Sequence, residues 1–135
     1  MSLSTQDALI YLMVVAATSD AAVSDRELRA IEALVGRSPV FDGLDRNRLG
    51  EVAAEAIDLL KDSSSLDKVL AMILGAVPAR LHDTAYALAV EVATVDVRLE
   101  QEELRLLEMI RDKLALDGLI VAAIEASARA RLRKA

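Results

Sequence analysis

Ala8 through Ala17 is an unbroken apolar stretch, and Ser4-Thr-Gln-Asp7 ahead of it supplies capping side chains. A first helix is therefore expected from this cap to about Ser19. Its apolar residues fall on nearly every face, which predicts a central, buried helix, because a helix at the surface keeps a polar side. The second helical pattern is of another kind. Ser24-Asp-Arg-Glu27 is a capping box, Val23 and Leu28 occupy the two positions of a hydrophobic staple, and Leu28, Ile31, Leu34 and Val35 form one apolar stripe. This helix should start at Ser24 and end near Gly36.

Beyond an irregular connection at 37–43, Asp45 is placed to cap a third helix ending near Lys61, and Ser63-Ser-Ser65 breaks the chain. A fourth helix is expected from about Ser65 to a stop before Pro78, which suits the first turn of a fifth helix running to about Val95. A sixth covers roughly Glu100 to Ala115, Asp117-Gly118 interrupts, and a seventh runs toward the C-terminus. The pattern thus predicts an all-α bundle of about seven helices. No linker is long enough to divide residues 1–135, so a single domain is expected.

One segment of the chain occurs twice. Ala17-Thr-Ser-Asp20-Ala-Ala-Val-Ser-Asp-Arg-Glu27-Leu-Arg29 returns 76 residues later as Ala93-Thr-Val-Asp96-Val-Arg-Leu-Glu-Gln-Glu-Glu103-Leu-Arg105. Leu12/Leu88, Val14/Val90 and Glu32/Glu108 extend the match. The repeat predicts two helix-loop-helix units, residues about 5–35 and 81–111, related by a pseudo-twofold axis. If successive helices alternate in direction, the two acidic loops share one end of the bundle. Asp20 and Glu27 would then face Asp96 and Glu103. Four neighbouring carboxylates resist full ionisation unless a cation compensates, and oxygen-only ligands select Ca²⁺, Mg²⁺ or Mn²⁺ over zinc or copper.

The same residues have a structural explanation. Glu27 belongs to the capping box, and Glu103 is favoured by the field at a helix N-terminus. Each Asp follows a helix C-terminus, where the helix dipole opposes negative charge, but an Asp tolerates the left-handed turn found there. Both explanations stand at this point. An EF-hand is not among them, since neither loop has the alternating oxygen ligands and central Gly.

Composition narrows the chemistry. Hydrophobic residues make up 54% of the chain, with five Gly, two Pro, three aromatics, one His and no Cys, so disulfides, thiolate catalysis and thiolate metal sites are excluded. The longest apolar stretches, residues 8–17 and 69–79, fall short of the roughly 20 residues that a membrane span needs. The N-terminus shows no basic segment followed by a cleavage site, and a soluble, cytoplasmic protein is expected. Net charge is −6; the last eleven residues carry +3, which leaves −9 on the first 124 and argues against nucleic acid as a partner. The basic end, Arg129, Arg131, Arg133 and Lys134, suits a helix C-terminus and is expected to contribute only weak surface electrostatics. His82 beside Asp83 reads as a solvated pair, Tyr11 and Tyr86 as packing residues, and Met13 and Met72 as fillers of core gaps. No phosphate loop, nucleophile with a base, or paired histidine ligands appear.

In its repeated acidic motif and the apolar helix before each copy, the chain resembles the tellurite-resistance TerB family and its relatives, among them the N-terminal domain of a membrane-anchored DnaJ-like co-chaperone. The motif of that family is Asp-Gly, one residue, an apolar residue, three more, then Glu, twice in an all-helical domain of about this length. The resemblance implies a seven-helix bundle, a divalent-cation site at Asp20, Glu27, Asp96 and Glu103, a non-catalytic role in stress response, and action through a protein partner. The chain differs from the motif at Ala21 and Val97, where the family has Gly. Two other functions fit the residues: a metal-independent helical adaptor, and a metal-assisted hydrolase using the acidic cluster.

Overall fold

The computed structural model describes residues 3–17, 23–62, 65–95 and 101–135, without the side chains of 101–103. Seven α-helices are present among them: α1 (Thr5–Ala17), α2 (Asp25–Arg37), α3 (Leu49–Asp62), α4 (Leu66–Gly75), α5 (His82–Ala93), α6 (Gln101–Leu114) and α7 (Gly118–Leu132). Strands are absent from the described residues, and the helices share one hydrophobic core.

The core is organised around α1. Every residue from Ala8 to Ala17 is buried, and α2, α3, α4, α5 and α6 all pack against this helix. Its N-terminal turn is tied down by polar contacts. Thr5 Oγ1 donates to the Ala76 carbonyl at 3.4 Å, and Gln6 Nε2 donates to the carbonyls of Val40 and Asp42 at 3.2 and 3.0 Å. The second hub is α5, which packs on α1, α2, α6 and α7 and buries Ala85, Tyr86, Leu88, Ala89, Val90, Val92 and Ala93.

Local signals explain most helix boundaries. The Ser24 cap of α2 is complete: Ser24 Oγ accepts from Glu27 N, and Glu27 Oε1 accepts from Ser24 N, both at 3.1 Å. Ser65 caps α4 through Lys68 N, and Asp117 caps α7 through Leu119 N. Asp45 caps a single 3-10 turn, Arg46–Arg48, which runs into α3.

Three details depart from the expected pattern. Pro78 stays extended and precedes a 3-10 turn, Ala79–Leu81, so α5 begins later, at His82. The break before α7 is made by Ala115, whose φ of 50° is the left-handed turn usually given to Gly; Gly118 instead opens α7. Met72 is 46% exposed rather than filling the core, because Val69, Leu70, Ile73 and Leu74 occupy the buried arc of α4 and one helix presents one such arc.

Candidate functional site

Glu27 stands in the first turn of α2, where the capping box holds its carboxylate: Oε1 also accepts from Ser24 Oγ at 2.8 Å. The backbone of Glu103 likewise lies in the first turn of α6. Asp20, Asp96 and the Glu103 carboxylate lie outside the described residues, as does the expected meeting of the two acidic loops. Of the four predicted ligands, Glu27 is thus the one with a described environment, and the cap accounts for its position. Among the described residues no three His, Asp or Glu side chains gather as they would around a metal ion.

Clefts flank α5 on more than one side. The first, about 430 Å³, opens between α5, α6 and α7. Val90, Leu107 and Ala128 give it apolar walls, and Leu104 and Leu132 stand at its edge, each nearly half exposed. Its polar end is a connected set. Tyr86 Oη donates to Glu125 Oε2 at 2.6 Å, and Arg111 Nη1 lies 3.8 Å from the same oxygen. Burial first, then the hydrogen bond to the Glu125 carboxylate, raises the Tyr86 hydroxyl well above the ordinary phenol range. A phenol held this way is a poor proton donor near neutral pH, so the pair serves to position α7 on α5.

The second cleft is wider, about 830 Å³, and runs between α2, α5 and the end of α7. Glu91 on α5 is its central group: Arg131 of α7 pairs with Oε1, and Arg37 of α2 approaches Oε2 at 4.0 Å. One half-buried carboxylate therefore links three helices. The basic C-terminal end consequently contains a tertiary contact at Arg131, beyond the surface electrostatics expected from charge alone.

Tyr11 matches Tyr86 in chemistry. It is buried in α1 and donates to Glu55 Oε2 of α3 at 3.0 Å. Both tyrosines are packing residues, as their apolar settings indicated, and both carry a polar tip that needs a partner. Those partners are 44 and 39 residues away in the chain, and no local motif announces them. His82 makes a backbone contact: Nε2 lies 3.1 Å from the Val77 carbonyl and donates to it across the turn before α5.

Compared with protein-family models, with curated proteins and with solved structures, the chain matches none.

Proposed function

We propose that this chain is a non-catalytic helical module of the TerB-like class, which binds a divalent cation through Asp20, Glu27, Asp96 and Glu103 and acts through a protein partner. The observation that carries the reading is the repeat itself: at a constant offset of 76, an Asp follows an apolar helix and a Glu enters the next. In support, α2 and α6 both begin so that this Glu falls in the first helical turn. The capping box also restrains the Glu27 side chain, which reduces the rotamer entropy lost on ligation. Hard divalent cations are the fitting ligand for carboxylate oxygens.

The test turns on Glu27→Gln, because a capping box accepts Gln nearly as well as Glu whereas a hard-cation site loses a charged oxygen. Ca²⁺, Mg²⁺ or Mn²⁺ should raise the wild-type melting temperature, with stabilisation of about 2.7 kcal/mol when free metal is about 100 times its Kd. The variant should fold normally in chelator and lose most of that gain. A wild-type protein with no cation-dependent shift and no heat of binding at millimolar metal would eliminate the site.

One structural feature favours a second reading, a metal-independent adaptor. The cleft between α5, α6 and α7 has apolar walls and two half-exposed leucines at its edge, a surface suited to an amphipathic segment of a partner. Partner capture that persists in chelator and is lost on Leu104→Asp would select that reading.

A further inference from the structure

The wider cleft beside α5 gathers positive charge in a chain whose net charge is −6. Arg37 from the end of α2, Arg131 from the end of α7 and Arg80 from the turn before α5 all line it. Among the described residues of its lining, Glu91 is the one acid. The cleft therefore carries a local surplus of two positive charges.

Glu91 positions the arginines without saturating them. It pairs with Arg131 at Oε1, whereas Arg37 comes only within 4.0 Å of Oε2, and Arg80 has neither an ion pair nor a hydrogen bond among the described residues. The side chains of Arg37 and Arg131 are still 64% and 55% exposed. A guanidinium has five N–H donors, so both keep donors for a second partner.

The walls behind these cations are apolar. Leu34 of α2 and Leu88 of α5, both buried, line the cleft, with Val40 and Leu81 half-buried beside them. Thr5 and Thr84, in the first turns of α1 and α5, bring the positive ends of two helix dipoles to the wall, against one negative end from α2.

We infer that this cleft binds a small organic anion, a carboxylate or phosphate head held by Arg37, Arg80 and Arg131 on an apolar body that lies against the leucines. A neutral apolar molecule would leave the guanidiniums without a partner, and a bare inorganic ion would leave the walls unused. Arginine suits both head groups, because its planar fork matches their oxygens two at a time. The volume of about 830 Å³ lies within the roughly 300–1,000 Å³ of small-molecule sites. A long polyanion is disfavoured by the acidic remainder of the chain. The site uses none of the four repeated carboxylates, so it survives if they bind no cation.

Anilinonaphthalene sulfonate is a suitable probe, since it carries one fixed anion on apolar rings and brightens on leaving water. Phenylnaphthylamine has the same rings without the sulfonate. The full chain should bind the first one-to-one with a Kd below about 100 μM and the second at least about tenfold more weakly, and salt should narrow the difference. Arg80→Glu, at an exposed residue without a tie to the fold, should weaken sulfonate binding at least about tenfold and leave the melting temperature unchanged. Arg129→Glu, on the cleft between α5, α6 and α7, should change it by less than about threefold. Octanoate and octyl phosphate should each displace the dye, the one effective at lower concentration identifying the head group, and octylammonium should not. Equal affinity for the charged and neutral dyes overturns the inference. So does sulfonate binding that falls with Arg129→Glu and not with Arg80→Glu, or displacement by octylammonium as readily as by octanoate.

Discussion

α1 and α7 both lack a single apolar stripe, and the structure treats them in opposite ways. α1 is enclosed by five helices and buries ten consecutive residues; α7 lies against α5 with Val121 and Ala128 buried and its outer arc in solvent. Side-chain size separates them. The buried run of α1 includes Leu9, Ile10, Tyr11, Leu12, Met13, Val14 and Val15. Each large apolar side chain of this kind contributes about 1.5–3 kcal/mol when fully buried. The outward residues of α7 are mostly alanines, whose single methyl gains little from burial and loses little from exposure. A helix without amphipathic periodicity therefore goes to the centre when its residues are large, and can remain at the edge when they are small.

The sharpest way to break this comparison is truncation on each helix. Leu12→Ala should cost about 2–5 kcal/mol, the range for a fully buried leucine, whereas Leu119→Ala should change stability by no more than about 0.5 kcal/mol. Urea denaturation of the two variants measures the difference. Equal losses would mean that α7 is as enclosed as α1.

A smaller effect tests how α7 is held. Tyr86→Phe leaves the Glu125 carboxylate without its hydroxyl donor and should cost about 1–2 kcal/mol. Amide exchange should accelerate in α7 and stay slow in α1, since the contact removed belongs to the docking of α7 on α5. Uniform acceleration through both helices would show that α7 unfolds only with the core.

The mildest test is alkaline pH. The Tyr11 hydroxyl is pushed up to about 12, by burial first and then by its hydrogen bond to the Glu55 carboxylate and that group's charge. The folded protein therefore keeps a proton that the unfolded chain releases near pH 10. This contribution to stability is fully present below pH about 10 and is lost as pH rises toward about 12. Denaturation curves at pH about 9 and about 11 should show the fall, and Tyr11→Phe should reduce its slope. Tyr86 acts in the same direction from the other pair, so the slope should not vanish.

Helix by helix, the chain was readable where a boundary rests on side chains within four residues of it. The Ser24–Glu27 box, the start of α4 at about Ser65 and the buried stripe Ile31, Leu34 and Val35 are of this kind. Reading was less successful where the chain reverses. A proline compatible with a first helical turn remained extended, and an alanine took the left-handed turn in preference to the nearby glycine. At the candidate cation site, Glu27 could be assigned two roles from its neighbours, and the described geometry accounts for one of them, the cap. Tyr86–Glu125 and Arg131–Glu91 gave no advance signal, because each joins residues about 40 apart that carry no shared local pattern.

By itself the sequence determined the all-helical class, the positions of most caps and the central place of α1, since hydrogen bonding and apolar coverage within one segment suffice for these. Tertiary structure alone decided which face of α4 and α7 meets water, which carboxylate each tyrosine finds, and that Glu91 joins the ends of α2 and α7 to α5. Those outcomes depend on competition among apolar surfaces for a limited interior and on contacts between distant residues, and neither is encoded within a single helix.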